Sequence, residues 1–374
     1  MATSGKRILI FVEDPGAANF AMPLFDALES AGWSTQTGAH GPAIGYLTTH
    51  GRPVAVACHD AGEWIARLCP DVVMVGTSEN PSSFAFSLVQ AAREAKTPSI
   101  GMVDGPSNPE LRFRGLSDDP LAYLPDWLLL TDETSRAAFT ALGVPPGRMV
   151  VTGHPYYDAV REEGRRLRAV PHHVLRHRHL PHASQDRPVV AFLGEGSDGL
   201  GLGLKRRSAD YSLYGTSGSN RRTEIVLEEF LDAVGHLDPR PYLVFRAHPK
   251  DPADNYRCYL DRFDVVSSDG PALPMLCACD LVVGLSTSLL VEAALIGLST
   301  LSILPADSQR TLVATIATGA TPCVTDRAAL NEILPRLLRA NIAPLPHDAN
   351  VDPAATATAH VIDALSRIAQ GVTP

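Results

Sequence analysis

The sequence has no surplus of basic residues. It carries 32 lysines and arginines against 41 aspartates and glutamates, which gives a formal net charge of −9. Affinity for a nucleic-acid backbone needs a basic surface, and the overall composition does not supply one. The charge balance therefore argues against a general nucleic-acid-binding protein, and we expect no nucleic-acid partner.

Cysteine is scarce, and the chain does not open on a long apolar run. The six cysteines lack the Cys-x-x-Cys pairs of a zinc site and the density of a disulfide scaffold. Cys277 and Cys279 lie among core-type residues in "LPMLCACDLVV", so we interpret them as buried thiols. The opening "KRILIFVED" is too short in apolar residues for a signal peptide or membrane span. We expect a cytoplasmic protein.

What the sequence does contain is a repeated alternation of short apolar strands and helical stretches. With 374 residues and 45% hydrophobic content, the chain is long enough for two domains. Near-continuous apolar strands between helices predict parallel sheets covered on both faces. We predict an α/β fold with two Rossmann-like, doubly wound domains facing a central cleft, over residues 1–155 and 188–350, followed by a helix in 351–374 that stays with the second domain or crosses back to the first.

Two segments interrupt the alternation. Residues 156–187 are rich in arginine and histidine, which we interpret as a solvated linker; the alternative is a basic patch facing an anionic acceptor or a membrane surface. Residues 194–222 are rich in glycine and serine and lack apolar periodicity. A long loop of this kind inside an α/β domain is typically functional, and we expect it to be poorly ordered without a ligand.

The first candidate site residues follow the opening strand. In open α/β sheets, ligands bind beyond the carboxyl ends of the strands. In "FVEDPGAANF", Glu13 and Asp14 are candidate general bases, and Gly16 lets a ligand approach the start of the next helix. The alternative for Asp14 is a helix N-cap.

Two further strand ends carry polar residues. In "VFRAHPKD", Arg246, His248 and Lys250 place three groups suited to phosphate oxygens at a strand end; the alternative is an exposed salt-bridged turn. In "LVVGLSTSLLVEAALIG", hydroxyls and a helix N-terminus favour a phosphate, and a carboxylate one turn deeper could accept hydrogen bonds from a ribose. These residues are Ser286, Thr287, Ser288 and Glu292. A solvent-facing Glu292 is the alternative.

The motifs "VTGHPYYD", "FRAHPK" and "STSLLVEAALIGLSTLSI" together resemble the GT-B glycosyltransferase superfamily. Its members include lipid-A-disaccharide synthase, the UDP-N-acetylglucosamine 2-epimerases and capsule polysaccharide transferases. The resemblance implies that Ser286–Ser288 and Glu292 bind the phosphates and ribose of a donor, with Arg246 and His248 beside its diphosphate. It also implies that residues 1–155 form the acceptor side and 188–350 the nucleotide-donor domain. Within "VTGHPYYD", we interpret His154 as part of a structural turn; the alternative is that it faces the cleft.

The sequence departs from the epimerases, because it has no "GTRPE"-like start and lacks the paired glutamates of "DSGGxxEE". No DxD motif is present, so we expect no metal and no cofactor. The favoured activity is a glycosyltransferase with a nucleotide-sugar donor, UDP-linked among the candidates, and a glycan, lipid or small-metabolite acceptor; peripheral membrane contact stays open. Alternatives are a nucleotide-sugar hydrolase or hydrolysing 2-epimerase, and a non-catalytic GT-B-like binding protein.

Overall fold

The computed structural model describes residues 5–52, 54–56, 60–106, 108–195, 206–248, 251–268, 270–339 and 356–374. The chain divides into two compact units. Unit 1 comprises Met1–Ala159 together with Asn350–Pro374, and unit 2 comprises Val160–Ala349. Unit 2 is therefore inserted, in sequence, between the two parts of unit 1.

Within the described part of unit 1, seven parallel strands form one sheet in the order β3-β2-β1-β4-β5-β6-β7. Strands β1, β4 and β5 consist almost wholly of buried apolar residues, as expected for a sheet covered on both faces. The strands are β1 Arg7–Val12, β2 Ser34–Ala39, β3 Ala55–Val56, β4 Val72–Gly76, β5 Ser99–Val103, β6 Trp127–Leu130 and β7 Met149–Val151.

Several helices of unit 1 begin with an N-capping aspartate or threonine, or with a proline in the first turn. Helix α1 has proline in its first turn, where the missing N–H costs nothing. Asp60, Asp132 and Thr356 each accept a backbone N–H as N-caps of α3, α5 and α13. The helices are α1 Pro15–Ser30, α2 Gly41–Thr49, α3 Ala61–Leu68, α4 Phe84–Ala95, α5 Glu133–Ala141 and α13 Ala357–Ile368, with 3₁₀ turns at Pro109–Leu111 and Pro146–Arg148.

In the described part of unit 2, six parallel strands form a second sheet in the order β10-β9-β8-β11-β12-β13. Its central strands are again buried and apolar. The strands are β8 Val189–Leu193, β9 Tyr242–Arg246, β10 Val265–Ser267, β11 Leu281–Gly284, β12 Thr300–Ile303 and β13 Cys323–Val324.

Helices cover this second sheet, and α8 and α12 contribute much of its apolar core. The helices are α6 Pro155–Arg168, which begins in unit 1, then α7 His172–His179, α8 Arg222–Gly235, α9 Ala272–Leu276, α10 Ser288–Leu295, α11 Ala314–Ala317 and α12 Arg327–Arg339. The 3₁₀ turns are Ala253–Tyr256, Leu260–Arg262 and Asp307–Leu312.

Both sheets contain the 3-2-1-4-5 strand order of Rossmann-like, doubly wound domains. The order reverses between β1 and β4 in unit 1 and between β8 and β11 in unit 2. The predicted α/β fold with two such domains is confirmed. The two reversal points matter for function because ligands of open α/β sheets bind beside them, at the carboxyl edge.

The basic segment 156–187 is not the solvated linker that the sequence predicts. It contains most of α6 and all of α7, and Leu175 and Arg176 are buried. The Arg176 guanidinium donates to the Asp280 carboxylate at 2.6 Å and to the Ala278 carbonyl at 3.2 Å. The buried Arg176 guanidinium therefore anchors this segment on unit 2, whereas composition alone indicated solvent.

In the glycine-rich loop 194–222, the described residues 206–222 are ordered, contrary to the expectation for that part of the loop. Residues 196–205 lie outside the described residues. Beyond them, Tyr211 and Leu213 are buried in the apolar core of unit 2. The backbone N–H groups of Thr216 and Ser217 donate to the Glu228 carboxylate at 2.5 and 2.9 Å. Burial alone would raise the pKa of Glu228, but hydrogen bonds, led by that from the Ser217 hydroxyl, lower it.

The prediction of buried thiols is confirmed for Cys277 and Cys279, which are 5% and 7% exposed and form no disulfide. Burial raises the pKa of the Cys277 thiol to about 11, and it also raises the pKa of Cys279. Both groups therefore stay protonated near neutral pH, which suits core residues and opposes a reactive thiolate.

Helix α13 completes unit 1, since Val361, Leu365 and Ile368 belong to the same core cluster as α1. We predict that Leu365→Ala lowers the free energy of unfolding by about 2–5 kcal/mol, because it leaves a cavity in that cluster. Denaturant unfolding followed by circular dichroism measures the change. Asp363→Ala, an exposed change on the same helix, should stay within about 0.5 kcal/mol of wild type. Equal losses in both variants would contradict the packing of α13.

Candidate functional site

The carboxyl edge of the unit 2 sheet carries a polar network at the point where the strand order reverses. Glu195 follows β8, and Ser286 follows the neighbouring β11. The backbone N–H of Ser286 donates to the Glu195 carboxylate at 2.9 Å, and its hydroxyl donates at 2.6 Å. The carboxylate thus joins the two loops that flank the reversal point.

Arg222, the first residue of α8, lies beneath this pair and is 1% exposed. Its Nη2 donates to the Ser286 hydroxyl at 3.0 Å, and its Nε donates to the Gln309 side-chain oxygen at 2.8 Å. Nη1 lies 3.1 Å from Glu195 Oε1, although it is not aligned for a hydrogen bond. Arg222 and Glu195 therefore form a buried ion pair. Removal of either partner would leave an uncompensated buried charge and destabilise the fold.

The three hydroxyl residues after β11 differ in their environment, because Ser286 and Thr287 make internal hydrogen bonds and Ser288 is exposed. The backbone N–H and the hydroxyl of Ser286 both donate to Glu195, so neither group is free to donate to a phosphate as the sequence predicted. Thr287 is the N-cap of α10 and accepts the Leu289 N–H at 3.4 Å. Ser288, the first residue of α10, is exposed. The positive end of this helix therefore opens to solvent at Ser288.

Glu292 lies one turn further along α10 and is 8% exposed. This burial excludes the alternative of a solvent-facing side chain. A carboxylate kept at this depth on an apolar helix is unusual enough to indicate a specific partner.

Arg246 ends β9, the strand next to β8, and is 8% exposed. Its Nη1 donates to the Ser267 hydroxyl at 2.8 Å, and its Nη2 donates to the Gly270 carbonyl at 2.7 Å. The guanidinium thus ties β9 to the end of β10. His248, two residues further, is partly exposed at the same edge, and Lys250 lies outside the described residues.

The remaining predicted residues lie in unit 1, at the carboxyl edge of its sheet. Glu13 accepts a hydrogen bond from the Ser83 hydroxyl and another from the Phe84 N–H at 3.4 Å. Asp14 occupies the N-cap position of α1, but its side chain makes no capping hydrogen bond. A Cβ added at Gly16 would lie 2.1 Å from the Asp104 carboxylate, so a larger residue there would require that side chain to move.

The structure therefore groups the predicted residues by unit. Glu13, Asp14 and Gly16 belong to unit 1, whereas Arg246, His248, Ser286–Ser288 and Glu292 belong to unit 2. The sequence analysis missed Glu195, Arg222 and Gln309. Glu195 directly follows the apolar run "VVAFLG", so the rule that selected the other sites could have found it. Arg222 and Gln309 carry no such signal.

His154 is buried, with 7% of its surface exposed. Its ring lies 5.0 Å from the ring of Phe20 and 4.5 Å from that of Tyr157. Burial lowers the pKa of His154 to about 4, against the opposing influence of the charges on Asp104 and Asp158. Near neutral pH, the His154 imidazole is therefore neutral in the folded protein.

Among the described residues, no three histidine, cysteine or acidic side chains are grouped as ligands of a metal ion would be. In the same part of the chain, no helix combines the length and apolar character needed to cross a membrane.

No protein-family model matches the sequence, and no curated protein matches it either. Solved structures do match. UDP-GlcNAc 2-epimerase from Neisseria meningitidis, bound to UDP-GlcNAc, is 13% identical with a TM-score of 0.63, over 96% of this chain and 99% of its own. HepE from Anabaena, in complex with UDP-glucose, is 13% identical with a TM-score of 0.56, over 98% and 95%. MurG from Acinetobacter baumannii is 15% identical with a TM-score of 0.54, over 96% and 99%.

These similarities extend over nearly the whole chain and include both units. The protein therefore has the GT-B fold, and the resemblance noted in the sequence is confirmed at the level of fold. Since the identities are 13–15%, the comparison defines the architecture and leaves the activity to be argued from the residues.

We predict that Arg222→Met lowers the free energy of unfolding by about 3–5 kcal/mol, because Glu195 would be left as an unpaired buried charge. Denaturant unfolding measures the loss. Arg310→Met, which removes a 38% exposed arginine paired with Asp307, should cost about 0–1 kcal/mol. A similar loss in both variants would show that the buried ion pair stabilises the fold no more than the exposed one.

Histidine burial gives unit 1 a pH dependence. Since the folded-state pKa of His154 lies near 4 and its ordinary value is 6.5, the unfolded chain binds the extra proton between those values. Stability is therefore lost as the pH falls below 6.5. From about pH 7.5 to about pH 5, wild type should lose about 2 kcal/mol more than His154→Phe.

Urea unfolding at the two pH values tests this prediction. His236→Phe changes an exposed histidine and should keep the wild-type slope. If His154→Phe also kept that slope, titration of His154 would not contribute to acid destabilisation.

Proposed function

We propose that the protein is a glycosyltransferase that moves a sugar from a nucleotide-activated donor to an acceptor without a metal ion. The observation that carries this proposal is the carboxyl edge of unit 2. There, a polar network fixes the reversal point of a Rossmann-like sheet beside an exposed helix N-terminus and a buried carboxylate. Solved structures of the same fold, bound to UDP-GlcNAc and UDP-glucose, support a nucleotide sugar as the ligand.

The donor diphosphate is assigned to the N-terminus of α10. Backbone N–H groups at a helix start and the helix dipole both favour a negative ligand. Ser288 is exposed at this point, while Ser286 is held by Glu195 and so positions the loop. Arg246 and His248 add positive or protonatable groups at the end of β9, which is separated from β11 by β8. Glu292 is the acceptor of hydrogen bonds proposed for the donor ribose.

The proposed reaction is displacement at the anomeric carbon. The leaving nucleotide carries its developing charge on phosphate, where the helix end and nearby cations stabilise it. A side chain of unit 1 takes the acceptor proton. The carboxylates of Glu13 and Asp14 were predicted for that task, and they follow β1 at the carboxyl edge of the unit 1 sheet.

Hydrolysis or epimerisation of the same donor is a second candidate, because structures of this fold include UDP-GlcNAc 2-epimerases. The helix α10 opposes this candidate, since it carries Glu292 without the second glutamate of the epimerase motif. Incubation with nucleotide sugars and no acceptor separates the activities, because only a hydrolase should release free nucleotide rapidly.

We predict that a nucleotide sugar at ~100 times its dissociation constant stabilises wild type by roughly 2.7 kcal/mol. The measurement is thermal unfolding with UDP-, GDP-, CMP- and dTDP-linked sugars. Ser288→Glu should abolish the shift, because it places a negative charge where the diphosphate is assigned. The same change should leave the unliganded protein intact, since an acidic residue in the first turn favours a helix.

Ala328→Glu provides the matched control, as Ala328 is exposed in the first turn of another helix of unit 2, α12. It should keep the full thermal shift. If Ser288→Glu bound the donor as well as wild type did, the diphosphate would have to lie elsewhere.

A further inference from the structure

The carboxylate of Glu13 is held by partners on two sides and is poorly placed to remove a proton itself. Its side chain is 11% exposed. The Ser83 hydroxyl and the Phe84 N–H donate to its two oxygens, at the N-terminus of α4. A carboxylate with these contacts suits a group that orients another side chain, because donors on α4 fix its position while each oxygen keeps a second lone pair for a further donor.

The side chain that Glu13 faces is His40. The two residues follow adjacent parallel strands, since Val12 and Ala39 are paired at the ends of β1 and β2. The backbone N–H of His40 donates to the Val12 carbonyl at 3.1 Å, and the backbone N–H of Ala43 donates to the backbone carbonyl of Glu13 at 3.0 Å. His40 Nδ1 consequently lies 3.8 Å from Glu13 Oε1.

Aromatic neighbours fix the plane of the imidazole. The His40 ring meets Phe11 edge-on at 5.2 Å and 84°, and it meets Phe84 at 5.0 Å and 46°. The side chain remains 33% exposed. Nε2 has no hydrogen-bond partner within the described ranges of the chain, and Glu13 is the ion-pair partner found there for this histidine. The ring is therefore held from one side and accessible from another.

We propose that His40 is the general base of unit 1 and that Glu13 is its positioning residue. This inference rests on the proposed function and changes the base predicted for it. With Nδ1–H directed at Glu13, the lone pair of Nε2 is available to a hydroxyl. The 3.8 Å separation of the pair is longer than a hydrogen bond, and catalytic hydrogen bonds commonly shorten when a substrate binds.

In the proposed step, the O–H bond of the attacking hydroxyl breaks, and its proton moves to Nε2. The oxygen forms a bond to the anomeric carbon. The bond from that carbon to the phosphate oxygen breaks, and its electron pair leaves with the nucleotide. The imidazolium then returns the proton to solvent. The same step serves a sugar acceptor or, much more slowly in a transferase, water, so slow nucleotide release can be followed before the acceptor is identified.

The test uses the full chain with UDP-GlcNAc and UDP-glucose, with nucleotide release as the readout of turnover and thermal shift as the readout of donor binding. His40→Gln should lower kcat by about 100-fold or more, with the thermal shift unchanged, and should remove the acidic limb of the pH–rate profile. His50→Gln alters an exposed histidine at the end of the same helix α2 and should retain wild-type turnover.

Two more variants distinguish catalysis from a structural role. In His40→Ala, added imidazole should restore part of the lost turnover, which a purely structural histidine would not allow. Glu13→Gln should lower kcat and shift the pH–rate profile, since it keeps the shape of the side chain but removes its charge. Wild-type turnover and pH profile in His40→Gln, or loss in His40→Ala without imidazole rescue, would overturn the assignment. Absence of nucleotide-sugar binding in wild type would instead overturn the proposed function.

Discussion

The C-terminal half of the protein depends on one buried ion pair, between Arg222 and Glu195. Two charges removed from water are costly, and they are tolerated only where each satisfies the other and nearby polar groups complete the network. Here the pair also binds Ser286 and Gln309, so it joins the start of α8, two strand ends and a 3₁₀ turn. The N-terminus of α10, where we assign the donor, is placed by this network.

Unit 1 repeats the arrangement with different neighbours. In each unit a glutamate follows the first strand of the sheet, Glu13 after β1 and Glu195 after β8. Each accepts hydrogen bonds from a serine hydroxyl and a backbone N–H that follow the adjacent strand, β4 or β11. The difference lies in what completes the cluster, which is a buried arginine in unit 2 and a partly exposed histidine in unit 1. One cluster is therefore closed and structural, and the other presents a titratable ring.

The sequence predicted the architecture because most of its strands are nearly continuous apolar runs, a pattern typical of a parallel sheet covered on both faces. The strand β2 lacks this pattern, since its sequence is "STQTGA". The same apolar runs mark where strands end, so the sequence also predicted which polar side chains lie at the carboxyl edge of each sheet. It failed for Arg222 and Arg176, whose burial depends on partners distant in sequence. Arg176 and Asp280, for example, are separated by 104 positions. Charged residues in polar segments read as solvated until the fold supplies such a partner, so local composition favoured a linker where helices form.

Because unit 1 is made of two separate stretches of chain, its core cannot close in the order in which the polypeptide is synthesised. The sheet from β1 to β7 emerges from the ribosome first, yet the surface that receives Val361, Leu365 and Ile368 stays uncovered until the final helix follows. Unit 2, which is continuous, can complete its own core earlier. The core of unit 1 can thus be completed only after the whole of unit 2 has been synthesised.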